Sequence, residues 1–307
     1  MLKRLALFVA LMPASAAAQS DYFIDWEAVG EESIGYLVDM VQIESVNPPG
    51  NETEVAEYLG AVLEGEGIEF ETYALDPDRA NLVTRYEGNG TKAPVLIMGH
   101  TDVVGVQPEK WAEPPFSGLR KDGYIWGRGT LDDKDNVTAG LMVILLLNRL
   151  GVEMDRDIIF LAEAGEEGTP QWGIDYMIDN HWDEIAAEYA IAEGGTNRLE
   201  DGRVKVVGIQ TTEKTPRRAK LVARGTAGHG SMPRTDNAIT MLAEAVAKAG
   251  NWETPVRLNE TTRAYFRRMA ELTDGETSWR YANIENPEHQ AEIDAWFREN
   301  DPYHYSA

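Results

Sequence analysis

Pro94-Val95-Leu96-Ile97-Met98-Gly99-His100-Thr101-Asp102-Val103-Val104 is the stretch on which the reading of this chain turns. Its first half is an unbroken apolar run of strand length, the pattern of a β-strand covered on both faces inside a sheet. Its second half turns polar at once, with a histidine and an aspartate two residues apart. Open α/β sheets gather their sites at the carboxyl ends of strands. An imidazole nitrogen is a good zinc ligand, and a carboxylate nearby can orient its ring. Taken alone, a histidine at a strand end is more commonly structural.

Reading outward, strands and helices alternate. Upstream, 26–41 has helical spacing, a loop runs from Glu44 through Pro48-Pro49-Gly50, and 52–63 forms a second amphipathic helix. Segments 68–73 and 81–86 read as strands. Downstream come a short strand at 124–126 and an apolar helix at 136–150 ending at Gly151. A buried strand at 157–162, a helix at 173–180 and a strand at 188–192 follow. The alternation predicts an α/β three-layer sandwich with a mostly parallel central sheet. From about Glu213 the pattern changes. A half-buried strand is expected at 218–224, then helices at 238–249, 263–272 and 288–298, the start of a second, α+β domain.

Composition narrows the chemistry. The 307 residues carry 28 Lys+Arg against 52 Asp+Glu, a formal charge of −24, so a nucleic-acid partner is excluded by repulsion from phosphate. There is no cysteine, which removes disulfides, thiolate metal sites and a cysteine nucleophile. An apolar fraction of 43% with eight Trp and twelve Tyr supports a folded core. The first residues read as a secretory signal peptide: Lys3-Arg4, an apolar run from Leu5 to Met12, then Pro13 and small residues up to a cleavage point near Ala18. The expected location is therefore exported, periplasmic or secreted. No later run suits a membrane, since Leu141–Leu147 is closed by Asn148 and Arg149.

Three further clusters stand at the ends of strands or turns. They are Gly127-Arg128-Gly129-Thr130-Leu131-Asp132-Asp133-Lys134, Glu166-Glu167, and Glu193-Gly194-Gly195. Each has a bland reading: a helix N-terminus capped by Asp, a surface acidic pair, and a turn. Together with His100 they supply the donors that suit a pair of hard or borderline divalent ions. Water held between two such ions is acidified, and a free carboxylate beside it can move its proton to a leaving amine.

These clusters resemble the M20 family of dinuclear zinc exopeptidases and deacylases, and within it the branch of carboxypeptidase S and secreted N-acyl-amino-acid hydrolases. The match runs from about Val41 to Pro233. It takes in Pro48-Pro49-Gly50, His100 to Val104, Trp111 with Pro114-Pro115-Phe116, Trp126-Gly127-Arg128-Gly129 with Asp132-Asp133-Lys134, Glu166-Glu167, Glu193-Gly194 and Gly225 to Pro233.

The resemblance implies two Zn²⁺, with Co²⁺ or Mn²⁺ as substitutes. His100 and Glu193 would hold one ion, Glu167 the other, and Asp132 would bridge them. Asp102 would orient His100. Glu166 would be the general base, differing from Glu167 because neighbours on an extended segment point opposite ways. His229 would reach across a homodimer, formed through the lid domain, to polarise the scissile carbonyl. His181 reads as a surface residue. The substrate class would be a short peptide or N-acyl amino acid. The alternatives are a deacylase of the succinyl-diaminopimelate or acetyl-ornithine type, and a non-catalytic truncated binding protein.

The resemblance divides the chain into a signal peptide (1–18), a zinc-hydrolase catalytic domain (19–212) and a partial lid and dimerisation domain (213–307). Two small departures are Gly165, where relatives often carry Asp before the paired Glu, and Asp135, where Gly is frequent. The larger one is that the family's last His ligand, near its C-terminus, has no counterpart. His289 and His304 are the histidines beyond His229, and neither sits in a Gly-rich context. The expectation is a C-terminally truncated chain whose catalytic domain lacks its returning segment and whose second metal site lacks a His.

Overall fold

The computed structural model describes residues 22–215, 217–232, 234–252 and 256–305. The signal-peptide reading of 1–18 lies outside the described residues, as does Pro233 at the end of the Gly225 motif. The chain divides into two compact units, Met1–Gly194 and Gly195–Ala307.

The first unit opens with helices α1 (Trp26–Gln42) and α2 (Glu52–Gly65) and strands β1 (Phe70–Ala74), β2 (Ala80–Tyr86) and β3 (Val95–His100). A small hairpin follows, β4 (Leu119–Lys121) with β5 (Tyr124–Trp126), then helix α3 (Lys134–Leu150) and strand β6 (Ile158–Glu163). Helices α4 (Ile174–Asn180) and α5 (Trp182–Ile185) lead to β7 (Tyr189–Ile191). The five-stranded sheet has the order β1-β2-β6-β3-β7.

This sheet is mixed, and the expectation of a mostly parallel one is corrected. β3 runs parallel to both β6 and β7, whereas β1–β2 and β2–β6 are antiparallel. Connection length accounts for the β1–β2 and β3–β6 pairings. Parallel neighbours need a crossover of a dozen or more residues, which α3 supplies between β3 and β6 and α4 with α5 supply before β7. Only a short loop separates β1 from β2, so those two strands can only fold back on each other.

Both faces of the sheet are covered. Leu82, Ile158, Phe160 and Ala162 pack with Met40, Leu59, Leu141 and Leu145 from α1, α2 and α3. The alternate residues Val83, Leu96, Ile159 and Leu161 pack with Met177 and Ile185 from α4 and α5. This is the period of two that places successive strand side chains on opposite faces. Gly140 lets α3 lie close on the sheet, because a Cβ there would stand 2.6 Å from the Phe160 ring.

In the second unit, β8 (Thr196–Glu200) and β9 (Arg203–Gly208) form an antiparallel hairpin. Its turn residues Asp201 and Gly202 both have positive φ, 50° and 72°. The Asp-Gly pair is the usual sequence signal for that turn. Among the described residues, helices α6 (Ala238–Gly250), α7 (Glu260–Leu272), α8 (Gly275–Ala282), α9 (Gln290–Asn300) and α10 (Pro302–Tyr305) follow. Phe266, Met269, Tyr281, Ile284, Ile293 and Phe297 form a core among them. The strand expected at 218–224 is irregular instead. An alternating pattern becomes a strand only against a neighbour that pairs with it, and here Leu221 and Val222 stay 47% and 64% exposed.

Candidate metal centre

The end of β3 delivers His100 into the interior, 1% exposed. Its Nδ1 lies 2.9 Å from the Asp102 backbone oxygen and 3.3 Å from Asp102 Oδ1. Those acceptors hold a proton on Nδ1 and turn Nε2 toward the surrounding carboxylates. Nε2 stands 3.0 Å from Asp132 Oδ1, 3.8 Å from Glu193 Oε2 and 4.0 Å from Glu166 Oε2. Two donor sets form around it, His100–Asp132–Glu167 and His100–Asp133–Glu193, each with ligand atoms within 4.8 Å of one another.

Asp102 is fully buried and does more than orient the imidazole. Its Oδ1 accepts the Glu166 backbone N–H, and its Oδ2 accepts that of Glu167, both at 3.1 Å. Asn47 Nδ2 donates to Oδ2 at 2.7 Å. One carboxylate therefore fixes both the histidine and the backbone of the Glu pair. Burial works against its charge, but the bonds from His100 and Asn47 hold its carboxyl below the usual range.

Glu166 and Glu167 do not sit on an extended segment, which corrects the reason given for their different roles. They occupy a tight turn closed by Thr169 N donating to Gly165 O at 2.9 Å. Gly165 has φ +75°, and a Cβ there would stand 2.5 Å from the Thr169 oxygen. The glycine that departs from the family pattern is thus the residue this turn requires.

Asp132 and Asp133 enter from the loop before α3, which Lys134 anchors from below. Its buried Nζ donates to the Met40 and Ile43 oxygens at the end of α1, both at 2.9 Å, and burial lowers its pKa to about 8. Asp133 stands at the N-cap of α3 without capping it. Its Oδ2 instead accepts the His100 backbone N–H at 3.1 Å, while Oδ1 accepts from Asn136. The bland reading of this cluster, a helix N-terminus capped by Asp, does not hold at Asp133. Its place in a donor set went unanticipated, and its side-by-side position with Asp132 was the only signal. Glu163, the last residue of β6, carries no motif that marks it in the sequence. It is buried beneath the site with Oε2 unpartnered.

The electrostatics suit a cation. Burial raises Asp133 to about 6 and Glu163 to about 8. Burial and neighbouring carboxylates also raise Glu167 and Glu193. Burial opposes charge on His100, yet Asp102, Asp133 and Glu166 push the imidazole up to about 10. Crowded carboxylates around one imidazole form an oxygen-rich set with a single nitrogen, which fits zinc, manganese or cobalt. An ion bound to donors at about 2.0–2.2 Å bridges ligand atoms spaced as these are.

His100 and His181 are the histidines of the first unit. His181 bonds the Tyr176 hydroxyl at 3.0 Å and packs on the Tyr73 ring. Within that unit a second ion would have carboxylates alone. In the second unit, His229 is exposed with Nδ1 2.7 Å from Ser231 Oγ. His289 lies edge-on to Trp279, and His304 is bonded to Asp301 at 2.6 Å and Tyr265 at 2.7 Å. Among the described residues no helix is long and apolar enough to cross a membrane.

Comparison with known proteins bears on this geometry. The profile described as peptidase family M20/M25/M40 matches residues 96–303. A probable carboxypeptidase S-like protein of Dictyostelium discoideum is 37% identical over 190 residues, covering 59% of this chain and 36% of the relative. A probable succinyl-diaminopimelate desuccinylase of Staphylococcus epidermidis is 32% identical over 219 residues, covering 70% and 50%. A human N-fatty-acyl-amino acid synthase/hydrolase is 33% identical over 182 residues, covering 58% and 36%. The chain spans half or less of the length of these relatives.

Proposed function

The chain belongs to peptidase family M20/M25/M40, and from that premise we propose that it is the metal-binding part of an exported amidohydrolase. The substrate would be a short peptide or an N-acyl amino acid, cleaved at an amide beside a free carboxylate. The observation that carries this reading is the pair of donor sets sharing His100, with Asp102 fixing both that histidine and the Glu166–Glu167 turn. A pair of ions in such a site supplies an acidified water and a Lewis acid for the scissile carbonyl.

Asp132, whose Oδ1 lies 3.0 Å from His100 Nε2 in the donor set with Glu167, would bridge the ions in this reading. His100 and Glu193 would serve one ion and Glu167 the other, with Asp133 closing the His100–Glu193 side. Glu166 is the carboxylate left to work. Its side chain is 46% exposed with Oε2 4.0 Å from His100 Nε2, so it can take a proton from the attacking water and return it to the leaving nitrogen. In the same reading His229 polarises the carbonyl from the partner of a homodimer. The carboxypeptidase S branch is part of this proposal.

The staphylococcal relative favours a second reading, removal of a succinyl group from an amino-acid nitrogen. Assay of the zinc-loaded protein against dipeptides, N-fatty-acyl amino acids and N-succinyl amino acids separates the two. Turnover of the first two classes supports the proposal, turnover of the third alone supports desuccinylation, and saturable binding without turnover identifies a binding protein.

A further inference from the structure

Beneath the Glu166–Glu167 turn lies an ion pair that no step of the proposed chemistry uses. Glu52, the first residue of α2, and Arg79, just before β2, are 0% and 4% exposed. Arg79 Nε and Nη2 reach the two Glu52 oxygens at 2.5 and 2.7 Å. The guanidinium has donors to spare, and it spends them on the site's supporting loops. Nη1 donates to the Pro49 oxygen at 2.8 Å, and Nη2 to Thr169 Oγ1 at 3.0 Å. Gly50 gives it room, since a Cβ there would stand 2.1 Å from Arg79 Nε.

Thr169 is the closing residue of the turn that carries Glu166 and Glu167. Its Oγ1 accepts from Arg79 and from Asn47 Nδ2 at 2.7 Å, and the same Asn47 nitrogen donates to Asp102 Oδ2 at 2.7 Å. With its lone pairs taken, the hydroxyl proton is directed to the one acceptor left, Gly165 O at 3.4 Å. The turn is therefore gripped twice, at its middle by the Asp102 carboxylate and at its end by Thr169. Both grips run through Asn47, and the second rests on the Arg79–Glu52 pair. A buried ion pair is weak evidence for stability in itself, because desolvation offsets the attraction. What distinguishes this one is the direction of its remaining hydrogen bonds.

We propose that Arg79, held by Glu52 and acting through Thr169, is a positioning residue for the Glu166–Glu167 turn, setting the backbone from which both carboxylates approach the metal centre. The proposal rests on the metal reading only for its effect on the ions. The direct test is Thr169→Val, which keeps the volume and leaves the Arg79–Glu52 pair intact, with Thr169→Ser as the conservative control. Amide hydrogen exchange is followed across the turn in the ion-free 307-residue protein, and Co²⁺ is then titrated while its visible absorption is recorded. Thr169→Val is expected to exchange the Glu166 and Glu167 amides about 10-fold faster, in line with one lost hydrogen bond. It should also bind Co²⁺ about 10-fold more weakly with an altered spectrum, and Thr169→Ser should restore both. Wild-type exchange at those amides in Thr169→Val overturns the proposal, even where the melting temperature falls. An unaltered protein that binds no Co²⁺ overturns the metal reading instead, and amide exchange alone then decides the positioning role.

Discussion

Asp102 carries the most consequences of any single residue. Its two oxygens meet His100 Nδ1, Asn47 and the backbone amides of Glu166 and Glu167. An asparagine has one acceptor oxygen where this site uses two. Asp102→Asn is therefore expected to weaken divalent-ion binding by about 10–100-fold, measured by calorimetric titration, with a lower melting temperature. Unchanged affinity would show that the carboxylate does not organise the donors. Gly165→Ala tests the turn itself. With φ +75° and a Cβ 2.5 Å from the Thr169 oxygen, it should cost about 1–3 kcal/mol, read by denaturant unfolding. At this scale the sequence was informative wherever a polar residue interrupted an apolar strand end, as His100, Glu193 and the Glu166–Glu167 pair do. Asp133 was hidden because an aspartate before a helix ordinarily folds back onto the helix amides. Here that side chain turns to the His100 backbone, a choice made by tertiary contact.

Among the elements, the helices and strands of the first unit follow their hydrophobic periods closely, whereas strand direction does not follow from pattern at all. Apolar runs such as 94–98 and 158–162 announce burial on two faces. Parallel or antiparallel pairing is set by what connects the strands, which the β1–β2 loop decides against the expectation. The segment 218–224 teaches the complementary lesson, since alternation without a pairing neighbour leaves irregular chain.

One side chain ties three helices together. Arg149, in the last turn of α3, makes paired hydrogen bonds to Glu32 of α1 and to Glu66 at the end of α2, from 2.6 to 3.1 Å. Those bonds hold both carboxyls below the usual range. Groups lowered in this way stabilise the fold above the ordinary glutamate range, and the contribution fades as pH falls through their folded values. Arg149→Met should therefore melt lower than the parent above about pH 5, with the difference shrinking below about pH 4. A gap that stays constant from pH 7 to pH 3 would contradict this.

For the molecule as a whole, the formal charge of −24 turns out to be only partly a matter of solvated surface. Some of the acidic excess is concentrated at the edge of one sheet, where Asp102, Asp133 and Glu163 are buried and Asp132, Glu166, Glu167 and Glu193 stand around a single imidazole. Such a concentration is costly without a cation. The most direct test of this cluster as a divalent-metal centre with a nitrogen ligand at His100 is calorimetric titration of the ion-free 307-residue protein with Zn²⁺, beside His100→Ala. One tight ion, a weaker second ion held by carboxylates, and loss of the tight phase in His100→Ala while the variant stays folded are expected. An absence of saturable binding, or a tight phase unchanged in His100→Ala, would contradict the metal centre.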